Sequence, residues 1–120
     1  MKISFLLSTI AFFVSQAAAW HGSMAASGYF DPGNGIRQLI YLTDYTTGST
    51  WQATFYGGFN GCTPDKGHCA VFFVETSPGG YGFEAYLWRT NDGCHNIDFA
   101  GALDAHHGYC CGSLPCELWA

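Results

Sequence analysis

The stretch from Cys69 to Cys94, CAVFFVETSPGGYGFEAYLWRTNDGC, constrains the fold most. Two runs rich in aromatic and β-branched residues flank Ser77-Pro78-Gly79-Gly80-Tyr81-Gly82, and a cysteine closes each end. Such runs around a glycine-rich turn read as a long β-hairpin. With the turn placed over Thr76 to Gly82, Val71 faces Leu87 and Phe73 faces Ala85 on one side. On the other, Ala70 faces Trp88, Phe72 faces Tyr86 and Val74 faces Glu84. A helix-forming period is absent, and Gly79, Gly80 and Gly82 lack the following helix and lysine that a phosphate-binding loop requires.

The chain has 120 residues and six cysteines, at positions 62, 69, 94, 110, 111 and 116. Residues 1–19, MKISFLLSTIAFFVSQAAA, combine one lysine, an apolar run and small residues Ala17 and Ala19 before Trp20, the pattern of a secretory leader. The apolar run is shorter than the roughly 20 residues of a membrane helix, so no membrane insertion is expected. What remains, 20–120, reads as one secreted domain whose modest core calls for covalent support. In an oxidising compartment Cys62, Cys69, Cys94, Cys110, Cys111 and Cys116 read as three disulfides. The pairing stays open apart from a bond between the adjacent Cys110 and Cys111, which disulfide geometry disfavours.

Charge removes several function classes. The formal net charge is −5, and outside the leader only Arg37, Lys66 and Arg89 are basic. Nucleic-acid binding by counterion release needs clustered cations, as does attraction to anionic lipid, so neither partner is expected.

Taken in order, Trp20 to Ser27 reads as an extended lead-in and Gly28 to Phe30 as a short strand ended by the turn Asp31-Pro32-Gly33-Asn34-Gly35. Ile36 to Tyr45 reads as a strand. Ser49 to Tyr56 alternates, with Trp51, Ala53 and Phe55 toward a core and Thr50, Gln52, Thr54 and Tyr56 toward water. Phe59 to His68 is a loop closed by cysteine, Ala100 to His106 offers a single helical turn, and the tail from Gly108 is pinned by its three cysteines. The predicted fold class is all-β: a small disulfide-stapled antiparallel sandwich or barrel, meander or Greek key, with little helix.

Candidate function rests first on the second face of the hairpin. Phe72, Tyr86 and Trp88 form an aromatic row with Glu84 beside them. That row is either a second buried layer, since rings dominate small β cores, or an exposed platform for sugar rings or a protein partner. Acid–base chemistry has weaker support: Glu84, His95 and Arg89 are the residue types of a nuclease-like site, but no spacing ties them together. The histidines lack metal-ligand spacing and no cofactor is expected. No serine sits in a nucleophile elbow.

The leader, the cysteine framework, the acidic charge and the abundance of aromatics together resemble the small secreted cysteine-rich proteins of filamentous fungi, an effector- and toxin-like class. The resemblance is to a class and assigns no residue a role. It implies an extracellular, non-enzymatic binding protein whose partner is a host or competitor protein or a cell-wall glycan. The alternatives are a small secreted hydrolase using a histidine and a carboxylate, and a structural extracellular protein with no discrete ligand.

Overall fold

The computed structural model describes residues 20–120, and the leader reading falls on residues outside that range. Eight strands follow one another: β1 His21–Ala26, β2 Arg37–Asp44, β3 Thr50–Tyr56, β4 Cys69–Ser77, β5 Gly82–Arg89, β6 Cys94–Asp98, β7 His107–Cys111 and β8 Cys116–Trp119. Helix is limited to two 3-10 turns, Phe59–Gly61 and Ala102–Asp104, among the described residues.

Each strand from β1 to β6 pairs antiparallel with the next, and β8 returns to pair with β1 on its free side. The strands β7 and β8 thus end the sheet, yet they lie against each other without a hydrogen-bonded ladder. A Cβ on Gly108 of β7 would sit 2.6 Å from the Trp119 carbonyl oxygen of β8, so only glycine lets the seam close. The Cys110–Cys116 disulfide then spans that seam. The result is a nearly closed, up-and-down all-β barrel.

Alternation fills the barrel. Met24, Ile40, Leu42, Trp51, Ala53, Phe55, Val71, Phe73, Phe83, Ala85, Leu87, Ile97 and Leu118 all point inward and are buried. One end is capped by aromatic rings in sequence: Trp51 to Phe83 at 5.0 Å, Phe83 to Phe99 at 5.9 Å, and Phe99 to Trp20 at 5.0 Å between centroids. Phe59 closes the other end, its backbone N–H donating to the buried Gln38 side chain at 3.1 Å. The cysteines gather at the Phe59 end: Cys62–Cys69 closes the loop after β3, Cys94–Cys111 joins β6 to β7, and Cys110–Cys116 joins β7 to β8. Adjacent Cys110 and Cys111 take different partners because successive strand residues point to opposite faces.

Several local readings change. Trp20 to Ser27 is not a lead-in but supplies β1, held between β2 and β8. Gly28 to Phe30 contributes only an isolated bridge from Phe30 to Arg37. The segment after Cys94 and the cysteine-rich tail are strands. In the central hairpin, Val71 faces Ala85, Phe73 faces Phe83, Phe72 faces Glu84 and Ala70 faces Tyr86, two residues away from the expected pairing. The turn is tighter than expected: β4 runs on to Ser77, and the Glu75 N–H donates to the Tyr81 carbonyl at 2.8 Å. A two-residue shift changes partners but preserves faces.

Candidate functional site

Barrel closure settles which side of the hairpin is dry. Val71, Phe73, Phe83, Ala85 and Leu87 are inside, whereas Ala70, Phe72, Val74 and Glu84 are exposed and Tyr86 and Trp88 half-buried on the outer surface. Phe72 is 58% exposed. Its ring lies across Gly82 of the neighbouring strand, where an added Cβ would come within 2.7 Å of Phe72 Cζ. The glycine therefore gives this exposed ring a flat seat.

A groove of about 390 Å³ opens next to it, lined by Thr54, Tyr56, Ala70, Val71, Phe72 and Glu84. Its origin is topological: the β3–β4 ladder covers only Thr50 to Gln52 against Ser77 to Val74, and the groove begins where those pairs end. Tyr56, 67% exposed, forms one wall and Phe72 the other. The Arg37 guanidinium carbon lies 4.4 Å from the Tyr56 ring centroid, a cation–π contact that steadies the ring. Thr54 and Glu84 add a hydroxyl and a carboxylate to the lining of the same groove.

Trp88 plays a different part. His68 stacks on it at 3.7 Å and 11°, and His107 lies on the side toward β7 at 5.3 Å and 20°. His107 is oriented by Asn96, whose Oδ1 lies 2.9 Å from His107 Nε2, and Asn96 Nδ2 donates to Thr90 Oγ1 at 3.2 Å. Tyr109 continues the row at 6.0 Å from His107. With histidines against its ring, Trp88 is the centre of a packed row, and Phe72, Tyr56 and Tyr109 carry the open ring surface.

The three groups considered for acid–base chemistry do not converge. Arg89 and His95 are cross-strand partners on the inner side at the Phe59 end, while Glu84 faces outward from β5. Arg89 is held by the Asn60 side chain, and the His95 ring meets the edge of Phe59 at 4.7 Å. Burial, and then the nearby Arg89 charge, push the His95 pKa below its ordinary value of 6.5. Among the described residues there is no group of three or more His, Cys, Asp or Glu side chains placed to hold a metal ion.

The His95 shift has a measurable consequence. Folding disfavours its protonation, so the unfolded chain binds more protons once pH falls through about 6.5. Stability is expected to be full above that pH and to decline toward pH 5, with His95→Phe flattening the decline. Asp31, Asp65 and Asp92 have carboxyls held below their ordinary 3.8 by hydrogen bonds, so the stability they contribute is lost only at more acidic pH. Melting curves of both proteins from pH 8 to 5 test this, and equal slopes would remove His95 as the cause.

Sequence reasoning found Phe72 and Glu84 and placed Tyr56 on the wet side of its strand. It did not join Tyr56 to Phe72, because nothing local shows that β3 and β4 part company there. No protein-family model, curated protein or solved structure matches the chain.

Proposed function

We propose that this chain is a secreted, non-enzymatic binding protein, effector- or toxin-like in class, that engages a cell-wall glycan along the groove between β3 and β4. The observation that carries this reading is the pair of exposed rings, Tyr56 and Phe72, lining one open groove together with Thr54 and Glu84. Shallow, open grooves with flat apolar walls suit sugar rings, whose hydroxyls need nearby acceptors and donors. Disulfide pairing of every cysteine supports an extracellular site of action. The placement of Glu84 on the opposite side of β5 from Arg89 and His95 favours binding over hydrolysis.

The test is calorimetric titration of the oxidised protein with soluble cello-, chito-, xylo- and laminari-oligosaccharides. Phe72→Ala and Tyr56→Ala are each expected to weaken the groove's ligand about tenfold, equivalent to about 1.4 kcal/mol, without lowering the melting temperature. Trp88→Ala is a poorer probe because it also unpacks His68 and His107. Binding that is indifferent to both groove variants would overturn the assignment of the site. Absence of glycan binding, together with recovery of a partner protein from host extract that Phe72→Ala abolishes, would turn the reading to a protein ligand.

A further inference from the structure

A second aromatic platform lies far from the groove, where β8 meets β1. His21 and Trp119 are cross-strand partners, and their rings stack at 3.4 Å and 4°. The imidazole is fixed from two further directions. Its Nε2 pairs with the Glu117 carboxylate, and the Tyr45 ring stands edge-on at 4.9 Å and 81°. Tyr45 is anchored in turn by its backbone N–H, which donates to the His21 carbonyl at 3.0 Å.

Trp119 remains 57% exposed despite this stacking. One ring face is covered by His21, so the exposed area lies on the opposite face and the rim. Its neighbour Leu118 is fully buried and supplies the β8 contribution to the core. An indole held rigid from behind and open in front is not required by the packing of the barrel.

We propose that Trp119, backed by His21, which Tyr45 and Glu117 hold in place, is a stacking site for a neutral β-linked pyranose, independent of the β3–β4 groove. A pyranose whose hydroxyls are equatorial presents an apolar face of axial C–H bonds that matches an indole in area. Glu117 is itself about half exposed and can accept from a sugar hydroxyl while holding His21. Glu117 and the formal charge of −5 disfavour an anionic sugar. A flat, unwalled ring fits a sugar better than a protein anchor, which buries its side chain in a desolvated pocket. With one main stacking contact, the dissociation constant is expected on the order of 1 mM.

The experiment uses the oxidised protein labelled with nitrogen-15 at tryptophan and observed by NMR. Cellohexaose, chitohexaose, xylohexaose and laminarihexaose are titrated separately, and the Trp119 indole resonance is assigned by its disappearance in Trp119→Phe. At least one of the sugars is expected to shift Trp119 while the buried Trp20 and Trp51 stay still. Trp119→Ala should weaken that binding at least tenfold with little change in melting temperature, and Phe72→Ala should leave the Trp119 shift intact. A Trp119 resonance unmoved by all four sugars would overturn the proposal, as would undiminished binding by a folded Trp119→Ala at this site. Loss of the Trp119 response with groove binding retained would sink this site alone, and the reverse pattern would sink only the groove.

Discussion

Reduction of all three disulfides is expected to unfold the barrel at room temperature. The bonds close loops with sequence separations of 7, 17 and 6 residues. Chain entropy assigns about 2 kcal/mol to each short loop and about 3 kcal/mol to the longer one. Their total, about 7 to 8 kcal/mol, is comparable with the whole net stability of a domain near a hundred residues, about 5 to 15 kcal/mol. Position strengthens the effect, because all three lie at the Phe59 end, and the seam between β7 and β8 has no ladder to replace Cys110–Cys116. Far-ultraviolet circular dichroism and thermal melts with and without phosphine reductant, alongside thiol counting, give the comparison. Six free thiols with an unchanged melting temperature would refute the account. Paired serine variants should rank by loop length, with Cys94/Cys111 the most damaging. Cys111 is exposed, so its bond is also expected to be the first reached by reductant.

The same dependence explains why half of the strands escaped sequence reading. β2 to β5 carry large inward residues at every second position, such as Trp51, Ala53 and Phe55 or Phe83, Ala85 and Leu87, and the alternation alone identifies them. β1 is HGSMAA, in which Met24 is the single large inward side chain and Gly22 and Ala26 fill the other inward places. β6, β7 and β8 are four or five residues long; Gly108, Cys110 and Cys116 take inward positions, and the buried Asn96 lies on the outer side beside His107. These segments become strands through their neighbours and their disulfides, a tertiary effect that local propensity does not carry. The candidate site was half legible for a related reason. Period-two alternation separated the faces of the hairpin even with the partners misplaced, but both faces are apolar, so only closure of the barrel decides that Phe72 is wet. Trp119 and His21 stand ninety-eight positions apart and meet only because β8 returns to β1.

That return also sets the second large expectation, that Gly22→Ala forces β1 away from β2 and destabilises the barrel. Gly22 pairs with Asp44 of β2 on one side and Leu118 of β8 on the other. A Cβ there would lie 2.0 Å from the Thr43 carbonyl oxygen and 2.5 Å from Trp20 Cη2. Neither neighbour can yield cheaply. Thr43 is backbone within β2, and Trp20 is buried against Phe99 in the aromatic cap. Relief therefore requires β1 to move away from β2, which pulls on the ladder that carries β8 and on the Ala120 N–H donating to the Trp20 carbonyl at 3.0 Å. Overpacking of this kind costs about 1 to 3 kcal/mol, occasionally more, and the backbone contact places Gly22→Ala at or above the upper end. The melting temperature should fall by roughly 10 °C or more, since each kcal/mol corresponds to about 4 to 8 °C in a domain this size. Gly61→Ala is the matched control, because a Cβ there meets nothing within 4 Å. It should change stability by no more than about 0.5 kcal/mol. If the two variants melt together, β1 does not sit between β2 and β8 as described, and the closure of the barrel through β8 fails with it.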